Sequence, residues 1–248
     1  MNKKFLAMGI VSLVLVVELC GCNDFDDSFN DFIGMEPDLD ELLTNPKNIT
    51  LEFRFNNSDW TLNYTVYGGV NDYLASLDDS MSGYNVETKD FILRDINQKF
   101  NEELFSPLIN SIASLTDNKD NQLRIAVSIV QSIPYDYGEA GALLKDSKYP
   151  YEVLYTQKGI CGTKSVLLTY ILRELGYGVA IFEFTEDDHR AVGVKCPNEY
   201  SFRNSGYCFI ESTKPSIITN NNMDYTNAGK LDDCEILEIS DGYSFESV

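Results

Sequence analysis

Residues 149–178, YPYEVLYTQKGICGTKSVLLTYILRELGYG, constrain this chain more than any other stretch. An irregular Gly-bearing turn ends in Cys161 and runs straight into a helix. From Gly162 to Leu175, the residues Val166, Leu167, Leu168, Tyr170, Ile171, Leu172 and Leu175 cover most of the helix circumference. A helix apolar that far round is buried among other elements, because it has no broad polar face to show to water. Gly176 and Gly178 end it, where a left-handed residue costs least. Cys161 therefore opens a buried helix. Unsatisfied backbone N–H groups and the positive end of the macrodipole favour a thiolate there over a thiol. That is a nucleophile's position; the plainer reading of an unpaired cysteine is a buried structural thiol.

A thiol nucleophile needs a base, and His189 is the only histidine in the chain. It follows a candidate strand, Val179–Phe184, and an acidic turn, Thr185–Asp188, and it opens a second strand, His189–Cys196. A third strand spans Tyr207–Thr213, with Glu211 in its second half. If the last two strands pair antiparallel, this order brings Cys161, His189 and Glu211 together. Alternation sets Val192 and Val194 on the face opposite His189, and Cys208 and Ile210 opposite Glu211. The carboxylate then orients the imidazole and stabilises the imidazolium that forms when it takes the thiol proton. Taken singly, His189 reads as a satisfied core or surface residue and Glu211 as an exposed strand residue. For the oxyanion, the Cys161 backbone N–H is the first donor; the Gln157 side chain is a second candidate, or else a solvated loop residue. One histidine with scattered cysteines lacks the ligand spacing of a metal site, and no cofactor motif is present. Cys196 and Cys208 face away from the site toward one side of the sheet. They either bridge the hairpin between them or remain two buried free thiols, with Cys234 unassigned.

Gly159-Ile160-Cys161-Gly162, His189 and Ile210-Glu211-Ser212-Thr213 resemble the three signature blocks of the transglutaminase-like superfamily of papain-like cysteine enzymes. The likeness runs in order from about Leu123 to Thr213, through Ser132-Ile133-Pro134-Tyr135 and Tyr149-Pro150-Tyr151-Glu152. It implies an α+β fold in which a buried helix carrying the cysteine packs on an antiparallel sheet carrying the histidine and the carboxylate. It further implies Cys161 as nucleophile and His189 as base, with Glu211 where an aspartate usually stands. The implied activity is cleavage or transfer of an amide, peptide or isopeptide acyl group through a thioester. Ala191 replaces the aromatic often found two places after the histidine, and Gly162 replaces a charged residue often found after the cysteine. A catalytically idle surface binding or assembly module is the rival reading, against which the complete Cys, His and carboxylate set argues.

The remainder divides into expected segments. Residues 1–21 read as an export signal, with basic Lys3 and Lys4 before the apolar run Phe5–Val17, which is too short for an ordinary membrane span. Leu19-Cys20-Gly21-Cys22 resembles a prokaryotic lipobox and implies lipidation at Cys22, anchoring the chain to the outer face of the cell membrane. Residues 22–47 read as an acidic, self-repelling tether. Residues 48–118 read as a hairpin, Ile49–Phe55 and Trp60–Tyr67 turned at Asn56–Asp59, followed by helices. Asn48, Asn56 and Asn63 each begin a glycosylation sequon. Ser106-Pro107 reads as an N-cap and first helical position. Residues 119–248 read as the catalytic domain, with a last strand at Cys234–Ile239. A formal charge of −20 argues against nucleic acid as a partner and leaves a peptide or protein substrate, from the cell envelope or elsewhere.

Overall fold

The computed structural model describes residues 37–77, 87–139, 148–219 and 233–247. The export signal, Cys22 and most of the acidic tether lie outside the described residues. Residues 38–248 pack as one unit, and a single apolar core runs through it from Leu42 to Phe245. The fold is mixed α+β, with seven helices and two antiparallel sheets among the described residues.

Helix α1 (Leu39–Leu42) and the start of strand β1 (Pro46–Phe55) fall inside the segment expected to be tether. Leu42 is buried and Leu39 and Leu43 pack against the same core, so apolar burial overrides the charge of Asp38, Asp40 and Glu41. Strand β2 (Ser58–Tyr67) closes a hairpin on β1. The turn is two residues, Asn56 and Asn57, rather than the four expected. Both have positive φ (50° and 59°), the backbone that a tight hairpin on right-twisted strands demands and that asparagine tolerates. Ile49, Leu51 and Phe53 point inward, alternating with exposed neighbours.

Helix α2 (Gly68–Ser76) follows, then α3 (Thr88–Ile96), α4 (Asn101–Leu115) and α5 (Lys119–Ser132). Pro107 does not start a helix. It sits inside α4, which begins at Asn101. There Pro107 forgoes one backbone hydrogen bond, while Leu104, Phe105, Leu108 and Ile112 keep the helix buried on both sides of it. The buried Asn101 amide donates to the carbonyls of Asp95 and Ile96 at 3.2 Å, closing α3 and separating it from α4. Helix α5 lies against the hairpin, the Ser128 hydroxyl accepting from the Arg54 N–H at 2.9 Å.

Helix α6 (Pro150–Thr156) occupies most of what reads in sequence as irregular turn. Pro150 takes its first position, and the Glu152 carboxylate accepts from the Tyr149 N–H at 2.8 Å, so the segment has its own start signal. Helix α7 (Cys161–Glu174) is buried at every position from Thr163 to Leu172. It ends on Gly176, whose φ of +92° only glycine adopts freely.

The second sheet has the order β5-β4-β3-β6, antiparallel throughout. Its strands are β3 (Val179–Phe184), β4 (His189–Lys195), β5 (Tyr207–Ile210) and β6 (Glu235–Ser240). One face, with Val179, Ile181, Val192, Val194, Cys208 and Ile210, belongs to the main core with α5 and α7. The other holds a small cluster of Phe182, Phe184, Ala191, Phe202 and Phe209. Cys196 and Cys208 are joined by a disulfide, with Cα atoms 5.8 Å apart, across the β4–β5 connection. Among the described residues no helix is long and apolar enough to cross a membrane.

Candidate active site

The approach to Cys161 is set by Gly159. Its N–H donates to the Pro134 carbonyl at 3.3 Å and its carbonyl accepts from the Asp136 N–H at 3.1 Å, so the turn before α7 lies alongside the segment that leaves α5. A Cβ at Gly159 would stand 2.8 Å from Thr163 Oγ1 and 2.9 Å from Lys164 Cγ, closer than side-chain atoms come. Thr163 Oγ1 instead accepts from the Ile160 N–H at 3.1 Å, and Ile160, in extended conformation, hands the chain into the helix. Cys161 is the first helical residue, partly buried.

Across from it, β3 and β4 are joined by Thr185–Asp188, and Asp188 is left-handed with φ of 46°. The Cys161 thiol lies 3.8 Å from the Asp188 carbonyl, its acceptor while the sulfur is protonated. His189 comes next, its ring 6.2 Å from that of Phe184. Glu211 falls one residue beyond the end of β5, not within a strand running to Thr213. Extending the Val192–Ile210 register sets Glu211 diagonal to His189 on the same face. The contact follows: His189 Nε2 and Glu211 Oε2 are 3.0 Å apart.

The other Glu211 oxygen accepts from the Thr213 N–H at 2.7 Å and the Thr213 hydroxyl at 2.6 Å. Its backbone carbonyl accepts from the Gln131 amide at 2.8 Å. Glu211 is 3 % exposed, and each of its three oxygens has a donor. With Nε2 donating to the carboxylate, the neutral imidazole keeps its lone pair on Nδ1, the nitrogen left for Cys161.

The electrostatics follow from burial opposed by hydrogen bonding. Burial pushes the Cys161 thiol up, but the hydrogen bond and charge of His189, with the N–H groups of Arg190 and Gly162, outweigh it. Its pKa is held below the ordinary thiol value. Burial alone would lower His189; its hydrogen bonds and charge interactions with Cys161 and Glu211 raise it to about 9. Burial would raise Glu211; the bonds from His189 and Thr213 bring it down to about 2. At neutral pH the site therefore favours imidazolium and carboxylate, and it moves Cys161 toward the thiolate.

Gln157 is the left-handed cap of α6, and its amide donates to the Leu154 carbonyl at 2.7 Å. The phenol of Tyr135 is held above its usual pKa by burial and by the charges of Cys161 and Asp188. Tyr137 stacks at a tilt on it, ring centroids 5.0 Å apart. Sequence reasoning gave no role to Lys164, Gln131, Asp188 or Thr213. Lys164 alone left a signal: it is a cation in a helix otherwise fit for complete burial, three residues after the nucleophile. Among the described residues no group of His, Cys, Asp or Glu side chains is arranged to hold a metal ion.

What fold and site define together is an α+β protein with a hydrogen-bonded His189–Glu211 pair close to Cys161 at the N-terminus of a buried helix. No protein-family model and no curated protein matches it.

Proposed function

We propose that this protein is a cysteine-dependent acyl-transfer enzyme of transglutaminase-like, papain-like type, acting as a hydrolase on an amide, peptide or isopeptide bond. The observation that carries the reading is the 3.0 Å hydrogen bond between His189 and Glu211, with the Cys161 thiol 3.8 Å from the carbonyl of the neighbouring Asp188, its pKa lowered by His189 and the imidazole pKa raised.

The Cys161 thiolate attacks the carbonyl carbon, and the negative charge moves to the carbonyl oxygen, where the Cys161 backbone N–H receives it. Collapse of this intermediate breaks the C–N bond; His189 gives its proton to the departing amine, leaving a thioester on Cys161. Water then attacks the thioester as His189 takes its proton, and cleavage of the C–S bond returns the thiolate and releases the acid. Glu211 holds the ring in register throughout and stabilises the imidazolium. The protein acts outside the cell, lipid-anchored through Cys22, on peptide or protein substrates of the envelope. Hydrolysis is favoured over cross-linking because the only tryptophan, Trp60, lies in the N-terminal hairpin and not beside the thiol.

Alkylation and turnover test this together. Cys161 should react with iodoacetamide much faster than Cys234 at neutral pH, and a p-nitrophenyl ester should be turned over by the native chain but not by Cys161→Ala. With a primary amine present, free acid should remain the main product. Equal labelling of both thiols from pH 5 to 9 would end the catalytic reading. A reactive Cys161 without turnover would favour the idle binding module, and a dominant amide product would make the enzyme a transamidase.

A further inference from the structure

Lys164 is fully buried. It follows Cys161 by three positions on α7, hence on the same side of the helix. Its ammonium has three protons and meets three backbone carbonyls, those of Ile133 at 2.6 Å, Thr213 at 3.2 Å and Gln131 at 3.4 Å. All three acceptors are neutral. A cation buried against carbonyls alone is a costly arrangement, and an apolar side chain of similar volume would fill the space more cheaply. Burial pushes its pKa down to about 8 against the opposing pull of the Glu211 charge.

The acceptors close a circuit. Lys164 holds the Gln131 carbonyl; the Gln131 side chain holds the Glu211 carbonyl and the Ser216 backbone. Thr213 holds the Glu211 carboxylate, and Lys164 holds the Thr213 carbonyl. Glu211 is thus fixed at both its backbone and its carboxylate by groups that lead back to one ammonium on the nucleophile's helix. A second tie, Ser165 Oγ to Ser212 Oγ at 3.0 Å, joins the same two segments.

We infer that Lys164 is a positioning residue for the cysteine site, its buried ammonium locking the Glu211–Thr213 segment to α7 and so setting how His189 meets Cys161. The inference rests on the thiol-enzyme reading above. Lys164 touches neither substrate nor the reacting atoms; it acts through Thr213, Gln131 and Glu211.

The test is the pH profile of Cys161 alkylation by iodoacetamide in the full chain, with Lys164→Met and Lys164→Arg beside the native protein. Lys164→Met keeps the volume and removes every donor. The acid midpoint should rise by about one pH unit and the rate below it should fall about tenfold. Lys164→Arg, which keeps a cation and donors, should recover part of the shift. A purely structural role would lower the melting temperature and leave the midpoint unmoved, and that result would overturn the inference. Should Lys164→Met not fold, 15N NMR of the native Lys164 ammonium decides: its resonance should move when Cys161 is carbamidomethylated, and a fixed resonance would refute the coupling. Failure of the two readings is separable. Slow Cys161 alkylation in the native chain removes the enzyme; fast native alkylation with an unchanged Met variant removes only the role of Lys164.

Discussion

At the scale of single residues the site is held by opposed effects, and the opposition gives it a pH signature. His189 has a folded pKa of about 9, above the ordinary imidazole value of 6.5. Its contribution to stability is therefore complete below pH 6.5 and is lost as pH rises through about 9. Glu211, with a folded value of about 2 against 4.5, behaves inversely: its contribution is complete above pH 4.5 and lost as pH falls through about 2. The pair is most stabilising between pH 4.5 and 6.5. The two shifts share the His189–Glu211 interaction, which counts once, while Cys161 contributes further to His189 and Thr213 to Glu211. On the proposed mechanism, activity should have a different window, open from the lowered Cys161 pKa up to the His189 value, since that mechanism needs both thiolate and imidazolium. Glu211→Gln removes the charge and keeps the shape. The alkaline limb of kcat/KM should then move below 9, with a loss on the order of 10²-fold, smaller than that of Cys161→Ala. A Glu211→Gln profile with its alkaline limb still at 9 would show that the carboxylate does not tune the base.

At the scale of elements, what was legible in the sequence is what periodicity and punctuation encode. Helix α7, the β3–β4 hairpin and the antiparallel pairing of β4 with β5 follow from apolar coverage, the Gly176 stop and strict alternation. Helix α6 is hidden in the sequence because it is only seven residues long and Gly159 marks the segment as turn, although Pro150 and Glu152 supply a helix start signal. The reading of Pro107 as a first helical position failed because tertiary burial of Phe105 and Leu108 carries α4 through a residue that local preference would place at its start. Lys164, Gln131 and Thr213 were illegible as partners, since contacts between α5, α7 and the segment after β5 leave no local pattern. Gly159 concentrates these contacts in one backbone position. Gly159→Ala should push its methyl into Thr163 and the Lys164 stem, destabilising the fold by ~1–3 kcal/mol, as overpacking does. It should also displace Cys161, slowing alkylation more than the stability loss accounts for. Thermal denaturation alongside iodoacetamide kinetics separates the two; lowered stability with unchanged alkylation would mean that the turn does not position the thiol.

At the scale of the whole molecule, two properties govern where the protein sits and what reaches it. If residues 1–21 are removed and Cys22 is lipidated, mass spectrometry should find a mature chain beginning at a modified Cys22, and Cys22→Ser should leave an unprocessed or soluble chain with its domain intact. An unmodified Cys22 inside an intact N-terminus would exclude the anchor.

The second property is charge. A formal −20 sets a negative potential around the domain. Glu186, Asp187 and Asp188, which precede His189, carry that sign at the rim of the site, while Asp136 and Glu139, on the segment paired with Gly159, are matched by Lys148 at 3.4 Å and 2.5 Å. Arg190, whose guanidinium lies against Gly162 at the start of α7, is already bound to Glu183 at 2.6 Å. Approach of an anionic substrate is therefore opposed and that of a cationic one assisted, over a distance set by screening, ~10 Å at 0.1 M salt and ~3 Å at 1 M. Matched ester peptides bearing two lysines or two glutamates should differ at least tenfold in kcat/KM at low ionic strength, in favour of lysine. The ratio should fall toward unity by 1 M salt while kcat stays alike for both, because the field acts on encounter and not on the bond being cleaved. A preference that persists undiminished in high salt would place the selectivity in direct contacts at the site instead of in the field of the molecule.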